Sequence, residues 1–168
     1  MITGLGLVGK STFRKTLREL ISSLGLIVEA IDGDYQKIPK FQQGIIYVTE
    51  DVHGPTKEAC LPLESYSLIL YLLPTPLSHM IFWIKRMIVW FKIGKGSWDK
   101  HRQGWLGSGK GYDISNIPLF IRLMVYDFRH RRIWLKHDLE VLSRFRNTAL
   151  IRPQWTPKGI KFNFIHRF

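Results

Sequence analysis

Cysteine and acidic side chains are both scarce in this chain. Thirteen Asp and Glu stand against 25 Lys and Arg, a formal charge of +12 over 168 residues. Such a surplus favours an anionic partner: a nucleotide, a nucleic acid or an acidic membrane. Charge alone does not choose among them, and dispersed, solvated lysines and arginines give the same count. The single cysteine, Cys60, excludes an internal disulfide and a cysteine metal cluster. No basic leader with a small-residue cleavage site opens the chain, so an intracellular, cytoplasmic setting is expected. Repeats and low-complexity tracts are missing as well, and no composition break divides residues 1–168, which read as one domain. A hydrophobic share of 45%, with 13% aromatic, is ample for its core.

What is present starts at once. The stretch Gly4-Leu5-Gly6-Leu7-Val8-Gly9-Lys10-Ser11-Thr12 fits G-x-x-x-x-G-K-[ST] at every fixed position. Glycines let the backbone curl its N–H donors around a polyphosphate, and the following helix adds its positive end. Lys10 adds a mobile cation and Ser11 a hydroxyl for Mg²⁺. Gly4, Gly6 and Gly9 also satisfy the dinucleotide pattern G-x-G-x-x-G. That pattern has no use for a lysine and a hydroxyl at the helix start, so Lys10-Ser11-Thr12 favours a triphosphate with magnesium. Only Met1, Ile2 and Thr3 precede the loop, short against a usual strand of about five residues.

Ser11 to Leu24 carries Phe13, Leu17, Leu20, Ile21 and Leu24 at helical spacing, which predicts an amphipathic helix ended by Gly25. Leu26 to Ile31 reads as a buried strand that stops at Asp32-Gly33-Asp34. Gly44 to Thr49 is a second strand, and it runs into Glu50-Asp51. Carboxylates leaving a strand beside the loop are suited to Mg²⁺, which takes hard oxygens and keeps most of its waters. The competing view is an exposed pair of loop carboxylates.

Thr56 to Tyr66 suggests a short helix broken by Pro62, and Ser67 to Leu73 the central strand of the sheet. Leu77 to Ile93 predicts a helix with Leu77, Met80, Ile81, Ile84, Met87, Ile88 and Phe91 on one apolar face. The uncharged run from Ser65 to Ile84 approaches the ~20 residues of a membrane span, but Pro74 and Pro76 split it into a strand and a helix. Phe82, Trp83, Trp90 and Phe91 spread beyond one stripe. Core packing is their commonest use, a homodimer interface comes next, and shallow membrane contact is least favoured.

Residues 94–118 are rich in glycine and basic side chains and predict a lid-like loop able to fold over phosphates; a plain linker is the alternative. Gly107-Ser108-Gly109-Lys110 lacks the spacing of a second phosphate loop. Ile117 to Phe145 reads as one long helix or two, with Arg129-His130-Arg131-Arg132 in its middle. Guanidinium forks suit phosphate oxygens, whether of a nucleotide or of a nucleic acid, and a solvated basic patch is the plain alternative. Thr148 to Ile151 suggests a last core strand and Gly159 to Ile165 an alternating edge strand.

Taken together, Gly4 to Thr12, Asp32-Gly33-Asp34-Tyr35, Glu50-Asp51 and Arg129 to Arg132 resemble the phosphate-loop small-molecule kinases, among them uridine, thymidylate and adenylylsulfate kinases. Roughly the first half of the chain carries the likeness. The resemblance implies an α/β, three-layer P-loop NTPase fold with a mostly parallel central sheet flanked by helices. It implies ATP and Mg²⁺ as ligands and transfer of the γ-phosphoryl group to a small acceptor, a nucleoside or nucleotide. Residues 4–12 would cradle the triphosphate, with Lys10 neutralising it and Ser11, Glu50 and Asp51 serving the metal. Asp34, or Asp32, would address the acceptor hydroxyl, while Arg129, Arg131 and Arg132 would belong to the lid. The chain departs from the pattern in its curtailed first strand and its Gly- and Trp-rich lid. A kinase of RNA or DNA ends and a non-catalytic, nucleotide-dependent binding protein at a nucleic-acid or membrane surface are the alternatives.

Overall fold

The computed structural model describes residues 1–5, 8–32, 40–50, 61–93 and 117–167. Six strands form one sheet in the order β2-β3-β1-β4-β5-β6. They are β1 (Ile2–Gly4), β2 (Ile27–Asp32), β3 (Ile45–Glu50), β4 (Ile69–Leu72), β5 (Thr148–Thr156) and β6 (Gly159–Arg167). All neighbours are parallel except β5 and β6. Three helices join them: α1 (Lys10–Ser23), α2 (Pro76–Ile93) and α3 (Ile117–Leu142).

Side chains alternate across strands, and the register assigns the two faces. Ile2, Val48 and Leu72 pack with Phe13, Leu17 and Ile21 of α1. Tyr71, Ile69 and Leu150 pack with Leu135, Leu139 and Leu142 of α3. Helices therefore flank the sheet on both faces, as the sequence predicted for the architecture. The three-residue β1 is held between β3 and β4, pairing Ile2 with Glu50 on one side and with Leu70 on the other.

The chain leaves β1 towards β2 on one side of the sheet and leaves β4 towards β5 on the other. In open α/β sheets such a reversal opens a crevice at the carboxyl ends of the strands, where ligands bind.

Several expectations change in the structure. The Leu26 to Ile31 segment forms a strand, but an edge one: Ile27 is 65% exposed while Ile31 is buried. The order of strands puts β2 outermost, which periodicity does not reveal. In place of a Thr56 to Tyr66 helix, the described part holds only a 3-10 turn at Leu63–Ser65. On α1 the buried stripe is narrower than drawn, with Leu20 and Leu24 exposed. The largest change is in α2. Thr75 caps this helix by accepting from the Ser78 N–H, and Pro76 supplies a pre-set first turn. Yet the face turned inwards carries Ser78, His79 and Phe82, while Leu77, Met80, Ile84 and Ile88 look outwards. Polar partners on α3 decide this orientation: Asp127 accepts from Trp83 Nε1 at 2.7 Å and lies 3.2 Å from His79 Nε2. No helix among the described residues is long and apolar enough to cross a membrane.

Candidate functional site

Gly4 ends β1 at φ +141°, where a Cβ would stand 2.6 Å from the Leu72 carbonyl oxygen. Only glycine allows β1 and β4 to approach this closely. Gly9 adopts the left-handed conformation at φ +84° and starts α1, with Phe13 N–H bonding to its carbonyl at 2.9 Å. No side chain caps α1 and its first turn holds no acid. The positive end of the helix therefore points into the crevice without a carboxylate of its own to neutralise it.

Lys10, Ser11 and Thr12 follow as the first turn. Lys10 is buried, and its ammonium donates to the Gly4 carbonyl at 3.0 Å, folding back across the loop. The Lys10 charge also reaches Asp138 of α3. Burial raises the Asp138 carboxyl above its ordinary 3.8, against the pull of a hydrogen bond from Tyr71, of His137 and of Lys10. Tyr71 donates to Asp138 Oδ2 at 2.7 Å in the sheet interior, and burial together with that carboxylate drives the phenol well above its usual value. Leu5 and Val8 are buried against Ile2, Val48 and Leu72, so the described ends of the loop are anchored in the core. The β5–β6 arm continues past β4 and reaches the loop from the other side. Phe162 lies 4.7 Å from Phe13, and Ile160 Cδ1 approaches Gly9.

Ser11 meets the carboxyl end of β3. Its hydroxyl donates to Glu50 Oε1 at 2.8 Å, across 39 positions of sequence. The other oxygen, Glu50 Oε2, is buried, with Arg14 Nε at 3.3 Å but no hydrogen bond of good geometry. A hydroxyl and a partly unsatisfied carboxylate at the start of α1 are hard oxygen donors. They fit a Mg²⁺ that keeps several waters and takes few protein ligands. No group of three or more His, Cys, Asp or Glu able to hold a metal occurs among the described residues.

The remaining predicted residues divide. Gly6, Leu7, Asp34 and Asp51 lie outside the described residues, as does the expected basic loop from 94 to 116. Asp32 ends β2 in register with Glu50. The arginine cluster does not act as one unit. Arg131 turns inwards and donates to the Pro74 carbonyl just past the carboxyl end of β4, whereas Arg129 and Arg132 are exposed.

Comparison with family models, curated proteins and solved structures returns no match to this chain. The site therefore rests on its own geometry. Arg14, Tyr71, Asp127 and Asp138 escaped the reading of the sequence. Arg14 carried a signal, standing one helical turn after Ser11 on the same face. Asp138 carried another, an acid embedded in the buried stripe of Leu135, Leu139 and Leu142.

Proposed function

We propose that the chain is a Mg²⁺-dependent phosphotransferase that binds a nucleoside triphosphate in the loop from Gly4 to Thr12. The γ-phosphoryl group would pass to a small acceptor, a nucleoside or nucleotide. One observation carries the reading. The Ser11 hydroxyl and the Glu50 carboxylate meet at 2.8 Å beside a left-handed glycine, a helix start and a buried lysine, at the reversal point of the sheet.

In this reading the described amides of Gly9 to Thr12 and the Lys10 ammonium bind the phosphates. Lys10 exchanges its bond to Gly4 for phosphate oxygens, trading a neutral acceptor for charged ones. Ser11 and Glu50 hold Mg²⁺, which when bound supplies Lewis-acid neutralisation of phosphate charge. The acceptor oxygen forms the new bond to phosphorus as the bond to the bridging oxygen breaks, and a nucleoside diphosphate leaves. Asp34 takes the acceptor proton, a role that comes from the resemblance to phosphate-loop kinases.

The test is ATP binding by calorimetry, with and without Mg²⁺, followed by transfer of labelled γ-phosphate to a panel of nucleosides and nucleotides. Lys10→Ala should weaken ATP binding by about tenfold to a hundredfold, the value of a charge-assisted contact. Unchanged affinity in that variant sinks the assignment.

A further inference from the structure

We propose that the outward faces of α2 and α3 form one basic, apolar surface that docks on an anionic lipid bilayer. The first support is the inverted packing of α2. Leu77, Met80, Ile84 and Ile88 recur at helical spacing on its solvent side, with Leu77 62% and Ile88 44% exposed. On α3, Ile121, Val125 and Ile133 repeat the pattern, and Ile133 is 65% exposed. Met80 joins Met124, Val125 and Phe128 in lining one apolar cleft of about 340 Å³, so the two faces are continuous. Aliphatic stripes of this extent on a water-facing surface mark an interaction site.

Charge selects the partner. Arg122, Arg129, Arg132 and Lys136 are exposed on the same side of α3 as Val125, within the 100° steps of the helix. Between Ser65 and Leu139 the only acids among the described residues are Asp127 and Asp138, and both are buried. Glu140, exposed near the carboxyl end of α3, is the one acid on this side among the described residues, against four cations, and an apolar stripe with such a cationic border is the composition of a helix that lies in a bilayer interface. A second copy of the chain would bring +12 against +12. A nucleic acid would use the cations and could stack on Tyr126, which is 54% exposed beside His130, but the other exposed apolar side chains described on α2 and α3 are Leu, Ile, Val and Met, where base stacking needs aromatic rings. Because no described helix can cross a membrane, the contact is one of lying on the surface. The proposal is independent of the phosphate-loop reading.

Co-sedimentation of the full chain with vesicles tests it, using phosphatidylcholine alone and an equimolar mixture with phosphatidylglycerol. The chain should pellet with the mixture, not with phosphatidylcholine alone, and added salt should release it. Two variants probe the two components: Ile84→Glu with Ile133→Glu, and Arg122→Glu with Lys136→Glu, each first checked for an unchanged melting curve. Each pair should lower partitioning at least about tenfold, since one basic residue near an anionic surface contributes roughly fivefold. Equal pelleting with both vesicle types, no pelleting, or indifference to either pair overturns the proposal. So does a dimer in light scattering that Ile84→Glu with Ile133→Glu dissociates. A single-stranded RNA that strips the chain from vesicles, and that binds this pair as tightly as the parent, equally overturns it.

Discussion

Replacing Gly4 by alanine tests the frame on which the loop depends. The new Cβ would meet the Leu72 carbonyl oxygen at 2.6 Å and the Leu72 nitrogen at 3.2 Å, both backbone atoms of the neighbouring central strand. No rotamer change relieves such a contact; β1 and β4 must move apart, and overpacking of this kind costs about 1–3 kcal/mol. The backbone at φ +141° adds about 1–3 kcal/mol for any residue with a Cβ. Together they predict a loss of about 2–6 kcal/mol in urea unfolding, a large part of the stability of a small domain. Gly25 is the control, with φ +76° and nothing within 4 Å of its Cβ position. Gly25→Ala should carry only the conformational term, about 1–2 kcal/mol. If Gly4→Ala proves no more destabilising than Gly25→Ala, the close approach of β1 to β4, and with it the placement of Lys10, is wrong.

Other substitutions separate the roles at the site. Glu50→Gln keeps an acceptor for Ser11 but removes the charge, so the gain in ATP affinity on adding Mg²⁺ should collapse while stability moves by about 1–2 kcal/mol; an unaltered magnesium effect speaks against Glu50 as a ligand. Asp138 has a folded-state value above its ordinary 3.8, so its contribution to stability is complete below that value and fades as pH rises through the raised one. Asp138→Asn should therefore gain on the parent chain as pH rises above about 4 in denaturant titrations, and a difference that stays constant with pH refutes it. Arg131→Ala should cost about 1–2 kcal/mol through its lost bond to Pro74, while Arg132→Ala stays within about 0.5 kcal/mol; equal effects in thermal melts would show that the cluster does act as one.

The turn from Gly4 into α1 was legible because its determinants are local. Gly4, Gly9, Lys10 and Ser11 stand within eight positions, and the turn they make is set by glycine torsions and a helix start. Most strands and helices were also legible, since β3, β4, α2 and α3 follow periodicity and Pro or Gly punctuation. The face of α2 was not. Its hydropathy pattern pointed Leu77, Met80, Ile84 and Ile88 inwards, but His79 and Trp83 gain hydrogen-bonding partners in Asp127 only when the opposite face is buried. The arginine cluster divides for a similar reason. Three adjacent guanidiniums on a helix point in different directions, and only Arg131 lies on the side that meets Pro74.

By its order of residues alone the chain determined where its backbone turns, which stretches become helix or strand, and that a glycine starts the helix at Lys10. These depend on torsional freedom and on neighbours within a few positions. Only the tertiary structure decided that Glu50 would stand beside Ser11, that β2 would lie at an edge, and which stripe of α2 would face water. Those outcomes depend on strand order and on partners 39 or more positions away, such as Ser11 with Glu50 and Trp83 with Asp127. Hydropathy along the chain does not encode the position of a distant carboxylate, and burial of polar groups follows where their hydrogen bonds can be made.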